Sequence, residues 1–393
     1  MTTKLKRCSN CLLPETYETI EFDNNGMCNI CNSAKIKNEQ IDWTARKKLL
    51  DQLIEKYRGK GDYDCIIPFS GGKDSTFQLL YLMKEYNIKP LVVRFNHGFM
   101  RQVIADNNQR TFKKLGVDVI DFTPNWQIVK KLMLESFIRK TDFCWHCHTG
   151  IYSYPMQIAI KYNVPLIFWG EPQAELTAYY DYLNDEIEYE DEKKFNMIRN
   201  LGISADDMYG MINKPDDPID RRDLNPFTYP PLRDLKKLGY ASVCLGSFIP
   251  WDYEANTRWI KKELGWQSDE LEGVPNEVNT TGEKIECFLQ GTRDYIKYIK
   301  RGYSRITQIN SIKLRNGKTT KEEAEKWNAL EGHKPESLDV FLSYVGLTED
   351  EFNTIVKPMA IPPYEHDFEN NPKAKPVWDT IQWYREGEKT NVK

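Results

Sequence analysis

The chain has 393 residues, 40% of them hydrophobic and 28% charged, and a formal net charge of -4. That length exceeds a typical domain of about 100–200 residues, so one large α/β domain with smaller attached units is expected. No apolar run approaches the roughly 20 residues of a membrane helix, the basic N-terminus lacks the apolar stretch of a signal peptide, and the acidic balance disfavours a nucleic-acid partner. A cytoplasmic protein without a membrane role is expected, and there the nine cysteines serve as thiols or metal ligands rather than disulfides.

Cysteines dominate the first 40 residues. Cys8-x2-Cys11 and Cys28-x2-Cys31 are separated by 16 residues, which fits a four-thiolate zinc site with a middle gap of about 15–20 residues. Four thiolates complete a tetrahedron and leave no position for a reactive water, so Zn2+ is expected to staple a segment too short to build its own core. Residues 1–40 read as a turn-rich zinc module. Residues 41–61, with Trp43, Leu49, Leu50, Leu53, Ile54 and Tyr57 at helical spacing, read as a linking helix.

Residues 62–75, Asp-Tyr-Asp-Cys-Ile-Ile-Pro-Phe-Ser-Gly-Gly-Lys-Asp-Ser, carry the strongest functional signal. A strand-like apolar run delivers Ser70, Gly71, Gly72, Lys73, Asp74 and Ser75 to the start of a helix-like segment. Adjacent glycines let the backbone approach an anion, helix-initial N–H groups point at it, and a lysine adds positive charge; the arrangement grips a phosphate. The Walker pattern differs, since its glycines stand farther apart.

Strand candidates at 64–69, 90–96, 117–122 and 164–169 alternate with helix candidates near 74–86, 101–115, 125–139 and 150–162. This predicts an α/β fold with a doubly wound parallel sheet and ligands at the carboxyl ends of its strands. His97, ending the second strand candidate, reads as a capping or packing residue, with reach to a nucleotide as the alternative. Cys144-Trp-His-Cys147-His148 allows three readings: buried thiols, a second metal or iron–sulfur site, or a redox pair. Cys65 and Cys287 read as core.

Residues 171–235 break the rhythm with an acidic run at 185–192 and prolines around 215–231, an insertion that is either a lid or a solvated loop. A strand candidate at 241–249 closes a sheet domain spanning 62–266, and 267–393 is expected to be mainly helical. Within it, residues 292–321 hold nine Lys or Arg against Asp294 alone. That run is either a solvated helical face or a clamp for an anionic ligand, with Arg293, Arg301, Arg305 and Arg315 suited to bidentate contact.

The loop resembles the PP-loop of the ATP-pyrophosphatase superfamily, which has the adenine nucleotide alpha hydrolase-like fold. Its members cleave ATP between the α- and β-phosphates and use the adenylate to activate a carbonyl oxygen. Over most of its length the chain looks like the N-acetyl sugar amidotransferases, bacterial PP-loop enzymes that turn an acetamido group into an acetamidino group. The likeness rests on Cys8-Ser-Asn-Cys-Leu-Leu-Pro14, Cys28-Asn-Ile-Cys31, Ile66–Ser75 and Phe143-Cys-Trp-His-Cys-His148. Phe168-Trp-Gly-Glu-Pro172, Ile249-Pro-Trp-Asp-Tyr253 and Arg315-Asn-Gly-Lys-Thr-Thr-Lys-Glu-Glu-Ala324 extend it.

The resemblance implies ATP and Mg2+ as ligands, with Lys73 and Asp74 in catalysis and Ser70, Gly71, Gly72 and Ser75 around the phosphates. Gly170 and Glu171 match the superfamily's second nucleotide-side motif. The implied substrates are acetamido sugars of the pseudaminic or legionaminic acid type, or nucleotide-linked diacetamido uronic acids, used in lipopolysaccharide biosynthesis or flagellin glycosylation. PP-loop enzymes that thiolate tRNA pair a mid-domain Cys-x-x-Cys with one later cysteine on an iron–sulfur cluster, which would make Cys144, Cys147 and Cys244 such a set.

Ammonia is expected from a separate glutaminase. Residue 2 is Thr, and no cysteine occupies a Gly-x-Cys-x-Gly elbow; Cys244, in Ser242-Val-Cys-Leu-Gly246, lacks the first glycine. Two rival functions share the loop. A tRNA-thiolating enzyme is disfavoured by the whole-chain resemblance and the acidic balance, and a nucleotide-gated scaffold of a sugar-modifying complex would show no ATP/pyrophosphate exchange.

Overall fold

Cys65-Ile-Ile-Pro68 is apolar at every position because both faces of the strand it forms are covered. The computed structural model describes residues 5–177, 179–180, 182 and 187–369. Thr2, the first two residues of the acidic run and residues 370–393 of the C-terminal region lie outside them. The chain divides into a unit of Asp42–Pro172 with Ile187–Gln267, and a unit of Met1–Ile41 with Gln173–Glu186 and Ser268–Lys393. The helix expected to link two domains, Trp43–Tyr57, therefore sits with the sheet, and the four-cysteine segment sits with the C-terminal helices.

In the sheet unit, β1 (Cys65–Pro68), β2 (Pro90–Phe95), β3 (Asp118–Phe122), β4 (Leu166–Trp169) and β5 (Ala241–Cys244) pair in parallel in the order β3-β2-β1-β4-β5. Ile66 lies opposite both Leu91 and Ile167, so β1 is the hinge of the order. The chain winds outward to β3 and then restarts on the other side with β4. Right-handed crossovers place the helices on both faces, and the reversal between β1 and β4 opens a crevice at their carboxyl ends. Ile66, Leu91, Val93 and Ile167 pack with Met156, Ala159 and Val164 into one core.

The helix expected near 150–162 starts five residues earlier and spans Trp145–Lys161. Gly150 lets it approach β2, since a Cβ there would meet the Phe95 ring at 2.2 Å. The last strand ends at Cys244 rather than at 249, because Leu245–Ser247 tightens into a 3-10 turn. Part of the 171–235 insertion covers the sheet's edge: Glu190 N–H donates to Ser242 O at 3.1 Å, and Cys244 N–H to Glu188 O at 2.9 Å. This antiparallel strap satisfies an edge strand that would otherwise be open. Farther on, Trp145 anchors the insertion by donating from its indole to Asn200 O and Ile203 O, both at 3.0 Å.

The other unit carries helices Gln290–Arg301, Arg305–Arg315, Lys321–Asn328, Ser337–Val345 and Glu349–Val356. Buried Glu331, just beyond Lys321–Asn328, holds the start of Arg305–Arg315 by accepting from the backbone and hydroxyl of Ser304 and of Thr307. The cysteine segment is less turn-rich than expected, since Asn29–Gln40 is helical. The metal-type turn starts that helix, with Cys28 as N-cap and its Sγ accepting from Cys31 N–H. No helix among the described residues is long and apolar enough to cross a membrane.

Candidate functional site

The chain leaves β1 through Ser70-Gly-Gly and enters the helix Lys73–Tyr86. Gly72 is its N-cap and supplies no side-chain acceptor, so first-turn N–H groups stay available to an anion. Two hydroxyls hold the loop in shape. Ser75 Oγ accepts from Ser70 N–H at 3.3 Å and Gly71 N–H at 3.2 Å, and Ser70 Oγ accepts from Gly72 N–H at 3.2 Å. Gly71 has a φ of +90°, and a Cβ on it would lie 2.1 Å from Asn108 Oδ1, so both backbone and surroundings require glycine. Its carbonyl is fixed from behind by the Trp266 indole N–H at 3.1 Å.

Lys73 is only 4% exposed, yet its amine lies at the loop, 2.6 Å from Asp74 Oδ2 and 4.9 Å above the Tyr253 ring. The other Asp74 oxygen accepts from the Trp251 indole N–H at 3.3 Å. The run Ile249-Pro-Trp-Asp-Tyr253 therefore builds a wall of the site. Trp251 and Tyr253 thus touch Asp74 and Lys73; composition and periodicity did not reveal them, and the family resemblance included their segment without giving it a role.

At the end of β4, Gly170 packs against the loop helix: a Cβ would stand 3.0 Å from Gln78 Oε1 and 3.2 Å from the Asp74 carbonyl. A carboxylate oxygen of Glu171 lies within 4.8 Å of one of Asp74. Ser70, Gly71, Gly72, Lys73, Asp74, Ser75, Gly170 and Glu171 thus meet at the crevice between β1 and β4. Two buried amide oxygens beside them, Gln78 Oε1 and Asn108 Oδ1, have no hydrogen-bond partner.

His97 is tied to its own turn, its Nδ1 accepting from Phe99 N–H at 3.3 Å. His146, whose Nε2 lies 3.3 Å from His97 O, is buried in the first turn of Trp145–Lys161. Burial lowers His97 to about 3, helped by His146, and lowers His146 to about 4. Both rings are neutral near pH 7. An unfolded histidine near 6.5 binds protons that these rings refuse, so their stabilising effect is full above about 6.5 and is lost as pH falls towards 4. The urea midpoint is expected to drop between about pH 7 and pH 5, and His146→Gln to shrink that drop. An unchanged pH profile in the variant would contradict the assignment.

The four N-terminal sulfurs all lie within 4.8 Å of one another. The Cys8–Cys31 and Cys11–Cys28 Sγ distances are 3.8 and 3.6 Å, far longer than a disulfide of about 2.05 Å and close to the edge of about 3.8 Å in a tetrahedron with Zn–S near 2.3 Å. Backbone N–H groups of Asn10, Cys11 and Cys28 point at Cys8 Sγ at 3.2–3.5 Å, as thiolate ligands require. The donor set fits zinc.

Among the described residues no group of ligand atoms within 4.8 Å of one another, the spacing of a single-ion site, unites Cys144, Cys147 and Cys244. Cys144 caps the helix Trp145–Lys161, with Cys147 in its first turn. Cys244 is buried at the end of β5 and donates its S–H to Gly170 O at 3.1 Å. Burial pushes that thiol well above its usual range, so it keeps its proton.

Two of the four arginines of the basic run form ion pairs within their own unit. Arg305 forms a buried bidentate pair with Asp294, at 3.0 and 3.3 Å, which Gln290 joins at 3.0 Å. Arg301 holds Glu18 at 3.0 Å and the Thr16 carbonyl, tying the cysteine segment to the helices. The Arg315 charge reaches Cys11 and favours its thiolate. Arg293 is half-buried beside Asp294. Lys297, not singled out by the sequence pattern, donates to Gln308 Oε1 at 3.1 Å and is lowered to about 7 by burial and the Arg305 charge.

Residues 279–385 match the family model described as LPS biosynthesis protein WbpG-like, C-terminal domain. A stretch of 116 residues is 26% identical to the uncharacterized protein MJ1599 of Methanocaldococcus jannaschii, covering 29% of this chain and 41% of that protein's length. A solved structure, the U34-tRNA thiolase NcsA from Methanococcus maripaludis with its 4Fe-4S cluster, aligns over 82% of this chain and 89% of its own. It has 12% sequence identity and a TM-score of 0.29, too little for any residue role to pass from one to the other.

Proposed function

We propose that the chain is an ATP-dependent, AMP- and pyrophosphate-forming amidotransferase. It converts an acetamido group of a bacterial surface sugar, a nonulosonic acid or a nucleotide-linked diacetamido uronic acid, to acetamidino with ammonia from a separate glutaminase. The observation that carries this reading is the glycine loop with Lys73 at the β1/β4 crevice, in a chain whose residues 279–385 match a lipopolysaccharide-biosynthesis domain.

An amide carbonyl is a poor electrophile and its oxygen a poor leaving group. In this reading the carbonyl oxygen attacks the α-phosphorus of ATP, the bond to the β-phosphate oxygen breaks, and pyrophosphate leaves an O-adenylyl imidate. Ammonia adds to the imidate carbon, AMP departs with the oxygen, and loss of a proton gives the amidine. The N–H groups of the first helical turn face the pyrophosphate, while the hydroxyls of Ser75 and Ser70 hold the Gly71 and Gly72 N–H groups and so shape the loop. Lys73 supplies positive charge where the leaving group gains negative charge. Asp74 and Glu171, two carboxylates within 4.8 Å, would hold Mg2+, which when bound neutralises phosphate charge.

Cys244 supports the reading of an external ammonia source. The cysteine nearest in sequence to a nucleophile elbow is buried, protonated and bonded to Gly170, the opposite of an activated thiolate. Incubation with ATP, ammonium and a panel of acetamido sugar acids is expected to give products in which one oxygen is replaced by NH, with AMP formed in step. Glutamine in place of ammonium is expected to be nearly inert until a glutaminase is added. Absence of AMP formation with every sugar would overturn the reaction, and efficient glutamine use by the purified chain would overturn the division of labour.

A further inference from the structure

Asn108, on the helix Gln102–Leu115, is 3% exposed and fills the space where residue 71 would carry a side chain. An apolar residue of that size would fill it equally well. The carboxamide instead leaves Oδ1 buried with no partner, a cost that native proteins rarely accept without a reason. Its nitrogen has only Met100 Sδ, at 3.6 Å, a weak acceptor that Arg94 Nη2 already approaches at 3.3 Å.

Gln78 offers an instructive contrast. Its oxygen is also without a partner, but its nitrogen is committed to the Phe168 carbonyl, so turning the amide would break a strong bond. Turning Asn108 breaks almost nothing. The neighbouring helix residue is fixed: Asn107 exchanges two hydrogen bonds of 2.8 Å with the backbone of Gln267, which holds this turn of helix against the loop while leaving the Asn108 amide able to rotate.

We propose that Asn108 is a positioning residue for the phosphate loop: when an anion occupies Ser70–Ser75, the carboxamide turns over and presents Nδ2–H beside Gly71 to a phosphate oxygen, with Oδ1 swinging towards Met100. A phosphate oxygen has only lone pairs to offer, so the amide nitrogen, not the oxygen, is the group that matches it. This rests on the reading of the loop as a phosphate site, but not on the identity of the sugar or of the ammonia donor.

The test is calorimetric titration of the full-length protein with magnesium pyrophosphate, together with the thermal midpoint of the ligand-free protein. Asn108→Leu is expected to weaken pyrophosphate at least tenfold while leaving the ligand-free midpoint equal to or above wild type, because an unpartnered buried acceptor has been removed. Asn108→Asp, which replaces the donor by a charge of the wrong sign, is expected to weaken binding further. Met100→Leu removes the sulfur tether and is expected to bind pyrophosphate as tightly as wild type or tighter. Wild-type affinity in Asn108→Leu overturns the proposal. So does lost affinity in Met100→Leu, which decides the matter even where Asn108→Leu does not fold. A wild-type protein that binds neither pyrophosphate nor ATP overturns the phosphate-loop reading itself, a result distinct from unequal behaviour of the variants.

Discussion

Lys73→Ala is expected to lower AMP formation by about 10²–10³, the loss typical of removing one preorganised group that meets charge developing in the transition state. Lys73 is suited to this because its amine is already desolvated and positioned, within 2.6 Å of Asp74 and against the Tyr253 ring. It need not be ordered when ATP arrives. The substitution leaves Asp74 with the Trp251 indole as donor and leaves β1 and its core untouched, so the sheet unit is expected to stay folded. Turnover with saturating ATP and ammonium, read beside circular dichroism and the thermal midpoint, separates chemistry from collapse. Near-normal AMP formation in a folded variant would remove the loop from the mechanism.

The loop was legible in the sequence because its signal is local. A buried strand, two glycines, a lysine and a helix start lie within a dozen residues, and each has one physical reason to be there. The Cys-x2-Cys pairs were legible for the same reason. The walls of the site were not. Trp251, Tyr253, Trp266 and Asn108 reach the loop from positions 30 to 200 residues away along the chain, and nothing in their immediate neighbours distinguishes them from core or cap residues. Trp251 and Trp266 are buried like any core tryptophan; only the indole donors on Asp74 and Gly71 mark them.

Charge density left the role of the basic run in the C-terminal region open. A run of basic residues looks alike whether its partners are a ligand or distant carboxylates. Asp294 lies inside the run, but Glu18, which pairs with Arg301, comes from almost the opposite end of the sequence. Cys244, the expected third ligand, closes a buried parallel strand and donates its thiol to the end of the neighbouring strand.

Cys11→Ser is expected to take the protein from one bound zinc per chain to almost none, with a large loss of stability. Serine places a harder and shorter donor where a thiolate closed the tetrahedron. The three remaining sulfurs then sit buried beside one another without the cation that offsets their charge. Apparent binding free energies of about 10–16 kcal/mol for structural zinc in small peptides rival the whole stability of a domain, about 5–15 kcal/mol. Such a loss cannot stay confined to a few turns. The cysteines pack with Leu13, Tyr17, Ile30 and Tyr303, and Leu314 leans on the same cluster, so losing the metal loosens the packing of helices Gln290–Arg301 and Arg305–Arg315 as well. Low soluble yield and an early thermal transition are therefore expected, and chelators should act on the wild type in the same direction. ATP binding is expected to persist in whatever fraction remains folded, because the loop residues all belong to the sheet unit. Freshly purified wild type without zinc, or a Cys11→Ser protein with its full complement, would show that the four sulfurs are a packed thiol cluster and not a metal centre.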